Sequence, residues 1–118
     1  MVKDKVYSVI KKLVKWYKGR EITDLISSFG KVGKNLNVQT NGIYKGCENI
    51  YIGDDVVLCE RLQLLTTRAK IIIGNGVIIS SYTSIISGNH RTDLVGKRMI
   101  DIDERVDKLP ENDQDIVI

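Results

Sequence analysis

Ile73-Gly74-Asn75-Gly76-Val77-Ile78, Ile79-Ser80-Ser81-Tyr82-Thr83-Ser84 and Ile85-Ile86-Ser87-Gly88-Asn89-His90 are three consecutive hexads, each opening on isoleucine. Small or turn-tolerant residues follow each isoleucine, and a smaller side chain stands four places on: Val77, Thr83, Asn89. An amphipathic helix needs apolar residues at three-and-four spacing, which this run lacks. Simple strand alternation fails too, because Gly74-Asn75-Gly76 and Ser80-Ser81 punctuate it as turns. The pattern suits very short strands joined by turns, with the large aliphatic pointing inward at every corner. Three such strands make one triangular coil of eighteen residues.

Upstream, Ile52, Leu58 and Leu64 keep the same step. Ile52 to Ile73 is one coil plus three residues, and the surplus falls in Thr66-Thr67-Arg68-Ala69-Lys70, read as a corner loop. Val32 and Val38 continue the step backwards, but Tyr44 and Gly46 blur it. Stacked coils bury one continuous aliphatic column, and no coil is stable alone. Successive coils are expected about 4.8 Å apart, the spacing of paired strands. A sandwich or a run of hairpins would vary its strand lengths, whereas a fixed period marks a solenoid.

These hexads resemble the left-handed parallel β-helix of the hexapeptide-repeat acyltransferases. The stretch Ile85-Ile86-Ser87-Gly88-Asn89-His90-Arg91-Thr92-Asp93 is similar to the sugar O-acetyltransferases of the galactoside and maltose acetyltransferase kind. Gly96-Lys97-Arg98-Met99-Ile100-Asp101, and then Lys108-Leu109-Pro110-Glu111-Asn112-Asp113-Gln114-Asp115-Ile116-Val117-Ile118, looks like the loop of enzymes that acetylate bacterial surface polysaccharides. The resemblance covers roughly residues 29–118 and supplies the left hand, which spacing does not. The fold it implies is all-β: a left-handed parallel β-helix with an N-terminal amphipathic α-helix. The expected divisions are a helical cap at 1–28, coils at 29–91, an acceptor-type loop at 92–115 and a further coil opening at 116–118.

The resemblance also implies acetyl-CoA as co-substrate, a sugar or polysaccharide-precursor acceptor and a homotrimer with active sites between subunits. It assigns general-base catalysis to His90, the only histidine. Acetyl transfer to a hydroxyl needs a base to take the hydroxyl proton, and imidazole titrates near working pH. Asn89, Arg91 and Asp93 are the expected substrate-binding residues, with Asp93 a candidate to orient the imidazole. Ser87, Gly88 and Asn89 are candidate oxyanion donors by position. A lone histidine also suits a solvated loop.

Two departures from the family stand out. The region matched to its acceptor-holding asparagine, Leu58-Cys59-Glu60-Arg61, has no amide side chain. The family coils that carry much of the acetyl-CoA groove would begin where this sequence stops, so the chain reads as a fragment or shortened form. The competing reading is a non-catalytic coil module for assembly. Zinc chemistry on this architecture needs three histidines, and the chain has one. Cys47 and Cys59 are expected to be free, buried thiols on different faces.

The 118 residues carry a net charge of +3, unevenly spread. Residues 1–20 hold seven Lys/Arg against Asp4; residues 101–118 hold seven acids against Arg105 and Lys108. Val2, Val6, Val9, Leu13 and Trp16/Tyr17 recur at helical spacing with lysines opposite. The helix they form either caps the open first coil or lies on an anionic membrane surface through residues 1–18. Nucleic-acid binding is not expected, because the basic charge is confined to one helix without a recognition motif. No signal peptide or spanning stretch is read in the sequence, and a cytoplasmic location is expected. Apolar, strand-prone Ile71-Ile72-Ile73 and Ile116-Val117-Ile118 favour homo-oligomers.

Overall fold

The computed structural model describes residues 1–102 and 110–118. Asp103, Glu104 and Asp107 of the acidic segment, and Lys108-Leu109 of the loop motif, lie outside the described residues. Among the described residues one α-helix, α1 (Val2–Ser28), precedes ten short strands. The first coil is β1 (Lys31–Val32), β2 (Asn37–Val38) and β3 (Ile43–Lys45); the second is β4 (Ile50–Ile52), β5 (Val57–Leu58) and β6 (Gln63–Leu65). The third is β7 (Ile71–Ile73), β8 (Ile78–Ile79) and β9 (Ser84–Ile86), and β10 (Ile116–Val117) opens a fourth.

Successive strands visit three sheets in turn, ordered β1-β4-β7-β10, β2-β5-β8 and β3-β6-β9. Every pairing between these strands is parallel. The chain is therefore a three-walled parallel β-solenoid behind one N-terminal helix. The inward positions are those of the six-residue step. Ile52, Leu58, Leu64, Ile73 and Ile79 are buried, and half-buried Ile85 packs against them. The positions four residues after Ile52 and Leu58 supply a second inward set, Val56 and Leu62, both fully buried.

The sequence blurs at Tyr44 because an aromatic fills the inward place six residues after Val38. Its ring meets Phe29 edge-on, centroids 5.8 Å apart. Gly42 accommodates it: a Cβ there would overlap the Tyr44 ring, where the next coil has Leu62. The Tyr44 hydroxyl is buried with no hydrogen-bond partner among the described residues. Burial, reinforced by Cys47 and Cys59, pushes its pKa up to about 12.

The three corners differ. The first turns through Gly33-Lys34-Asn35, Gly53-Asp54-Asp55 and Gly74-Asn75-Gly76, whose last residues have φ of 57°, 56° and 69°. Asn, Asp and Gly are the residues that tolerate this left-handed conformation. The glycine amides donate up the stack, Gly33 to Ile52 O and Gly53 to Ile73 O, both 2.8 Å. Side chains repeat the ladder: the Lys34 amide donates to Asp54 Oδ1, and the Asp54 amide to Asn75 Oδ1, each at 2.7 Å. The second corner places Asn41, Arg61 and Tyr82 at positive φ, with the Arg61 guanidinium 5.7 Å from the Tyr82 ring centre. The third corner holds all the surplus residues of the repeat.

At about 1.5 Å per residue α1 is about 40 Å long. It ends at Phe29, which turns extended and buries its ring, while the Gly30 amide bonds to Cys47 O and Ile50 O, both at 3.0 Å. Sequence reasoning gave the capping role to Val2, Val6, Val9, Leu13 and Trp16/Tyr17. The structure gives it to Ile22, Leu25 and Ile26, which pack on the core, and leaves the earlier set exposed. None of the helix is fully buried. Cys47 and Cys59 are free but half-buried rather than buried. Among the described residues no helix is long and apolar enough to cross a membrane.

Adjacent residues on β8 test the register. Ile79 is 5 % exposed and Ile78 70 %. Ile79→Ala should destabilise by about 2–4 kcal/mol and Ile78→Ala by no more than about 0.5 kcal/mol in urea unfolding. Tyr44 adds a pH test. Its folded pKa lies above the unfolded value of 10.0, so its contribution is present below pH 10 and declines as pH rises towards 12. Tyr44→Phe should lose less stability than the parent across that alkaline window, at little or no cost at neutral pH.

Candidate active site

Counting along the inward column, Val32 to Ile52 is twenty residues, Ile52 to Ile73 twenty-one, and Ile71 to its partner Ile116 forty-five. An eighteen-residue coil leaves surpluses of two, three and twenty-seven. All three fall at the third corner: 46–49, which includes the 3₁₀ turn Cys47–Asn49, then 66–70, then 87–115. Each excursion rests on the one before. The Asn49 amide side chain donates to Thr67 O at 3.1 Å, and Thr66 Oγ1 donates to Gly46 O at 2.6 Å. Ser87 Oγ, buried, donates to Ala69 O at 3.0 Å.

His90 stands where the largest excursion leaves the wall. Its own amide donates to Asn89 Oδ1 at 3.0 Å, a local side-chain-to-backbone contact between neighbours. Asn89 and His90 are exposed. With Ile86 and Gly88 they form one side of a cleft of about 350 Å³. Lys45, Leu65, Thr66 and Thr67 of the two lower coils form the other. Sequence reasoning missed these four, since nothing local in the chain ties Lys45 to His90; only stacking does. It also looked for an acceptor-holding residue in Leu58-Cys59-Glu60-Arg61. That stretch closes β5 and enters the second corner, so the residues facing His90 from the coil below are Thr66 and Thr67 instead.

Arg91 and Asp93 come together with each other. Arg91 Nε donates to Asp93 Oδ1 at 2.7 Å and Nη2 to Oδ2 at 3.1 Å. This two-pronged contact, with the guanidinium as its donor, holds the Asp93 carboxyl below its usual range. Of the expected oxyanion donors, the Ser87 amide is spent on Leu65 O (3.1 Å) and the Asn89 amide on Asn112 O (2.7 Å). The cation lining the cleft is Lys45. Among the described residues no three His, Cys, Asp or Glu side chains converge as metal ligands.

The excursion returns through Asp113, which bridges antiparallel to Gly88. Its side chain, 6 % exposed, receives Arg68 Nε at 2.8 Å and Thr67 Oγ1 at 3.2 Å. Asp115 Oδ1 accepts the Lys70 amide at 2.7 Å. The third-corner loop of the second coil thus staples both feet of the excursion, and the fourth coil starts in register behind it. Comparison with protein-family models, with curated proteins and with solved structures finds no match.

Asp113→Ala removes the acceptor of a charge-assisted bond and should cost about 1–3 kcal/mol. The Asn89 amide should then exchange with solvent about tenfold faster or more, while the Gly53 amide at the first corner keeps its protection.

Proposed function

We propose that the solenoid is a left-handed β-helix of the hexapeptide-repeat type and that its third corner is the site of an acetyl-CoA-dependent O-acetyltransferase. The observation that supports this is the position of the lone imidazole. It stands at the mouth of a cleft between coils, where the repeat is interrupted by its longest excursion. His90 takes the proton of an acceptor hydroxyl as that oxygen attacks the thioester carbonyl. The tetrahedral adduct collapses, the carbon–sulfur bond breaks, and the imidazolium returns its proton to the departing thiolate. The products are the acetyl ester and free coenzyme A.

The acceptor in this reading is a sugar or a surface-polysaccharide precursor. Asn89 and the paired Arg91 and Asp93 hold it, and Lys45 supplies positive charge on the opposite side. The active assembly is a homotrimer working in the cytoplasm, where its acyl donor is made. Exposed Ile78 and Ile86 on the solenoid walls provide apolar surface for subunit contact. The engaged Ser87 and Asn89 amides favour a second reading, a non-catalytic assembly module on the same scaffold.

The test is release of coenzyme A thiol from acetyl-CoA in the presence of a panel of sugars. His90→Gln should lower turnover about 10²–10⁴-fold, with acetyl-CoA affinity by calorimetry held within about twofold. No acetyl-CoA binding by the parent chain supports the assembly module instead, and joint loss of binding and turnover removes His90 from the role of base.

A further inference from the structure

The helix carries two apolar stripes, and they point in different directions. At about 100° per residue, Val6, Val9, Ile10, Leu13, Trp16 and Tyr17 share an arc centred on Leu13, Val6 and Tyr17. Ile22, Leu25 and Ile26, which hold the helix to the core, are centred about 170° away round the axis. The first stripe is therefore turned away from the solenoid, and each of its six side chains is exposed, Trp16 by 68 %. The two stripes also explain why the helix as a whole has no single apolar side.

Lysines border the exposed stripe. Lys5 and Lys12 run along one edge and Lys3 stands just past the other, while Lys11, Lys15 and Lys18 lie on the opposite side. We propose that residues 2–18 are an interfacial helix that lies flat on an anionic lipid bilayer, with this stripe in the boundary between headgroups and acyl chains. Apolar side chains, an aromatic pair and a lysine-rich opposite side are what such helices need. The bordering lysines reach out to lipid phosphates while their stems stay against the apolar boundary. A net charge of +6 over residues 1–20 (seven Lys/Arg against Asp4) matches an anionic surface, which attracts each cation held close to it. The same charge opposes pairing with a second copy of the helix. Because the core contact lies on another side, the solenoid stays in water when the stripe is buried.

The test is flotation of the full chain with vesicles of phosphatidylcholine alone, or with about one third phosphatidylglycerol. Flotation is expected only with the anionic vesicles, falling about tenfold between about 0.1 and 0.5 M NaCl. Trp16 is the only tryptophan, so a blue shift of its emission reports burial of the stripe itself. The double variant Val9→Glu, Leu13→Glu should abolish both signals, and Lys5→Glu with Lys12→Glu should lower flotation about tenfold or more. Ser81→Glu, exposed at the second corner of the solenoid, should change neither. Equal binding to neutral vesicles overturns the proposal. So does a lipid-free dimer that Leu13→Glu disperses, which would assign the stripe to a second copy. The absence of both flotation and pairing overturns it as well.

Discussion

Everything in this molecule follows from keeping one column of aliphatic side chains in register. Parallel pairing sets Ile50 and Ile52 on Ile71 and Ile73, Val57 and Leu58 on Ile78 and Ile79, and Leu64 on Ile85. A slip of one residue on any wall would turn its inward side chain to water. The walls are therefore intolerant of insertion, and surplus chain goes to the corners. Here it goes to one corner only, in increasing amounts from coil to coil. The third corner is the single place where the solenoid can build anything other than itself, and it is where the cleft and the only histidine are found.

That arrangement gives the cleft its stability without a large buried core of its own. The excursion is anchored at its feet. Ser87 is pinned to Ala69, and Asp113 and Asp115 are pinned to the loop at 66–70. Each of these partners belongs to the surplus of the coil beneath. The short insertions of the first two coils act as a platform for the long one of the third. Asp113, its carboxylate shielded from water, is held by Arg68 and Thr67, the charged and hydrogen-bonding partners that such a group needs in place.

The inward positions from Ile52 to Ile85 were legible because isoleucine and leucine repeat at a strict step that no helix shares. Tyr44 was not, since an aromatic with a compensating glycine at Gly42 does not look like a coil position. The helix was legible as a helix, but its conspicuous stripe drew the capping role away from Ile22, Leu25 and Ile26, which are spaced too briefly to stand out. The site was half legible. Asn89 and His90 announced themselves by ending the run, whereas Lys45, Thr66 and Thr67 reach them only by stacking across one and two coils. Asp113 and Arg68 are forty-five residues apart, and no local pattern joins them.

The account rests on coils lying directly above one another, and disulfide trapping reads this most directly. Gln63 and Ser84 are register partners on adjoining parallel strands with both side chains outward, at a strand spacing of about 4.8 Å that suits a disulfide. In a chain with Cys47→Ser and Cys59→Ser, the pair Gln63→Cys and Ser84→Cys should close rapidly within one chain under mild oxidation. The pair Gln63→Cys and Ile78→Cys, on different walls, should stay open. Failure of the first pair to close, or closure of both at similar rates, would contradict the stacked three-walled solenoid.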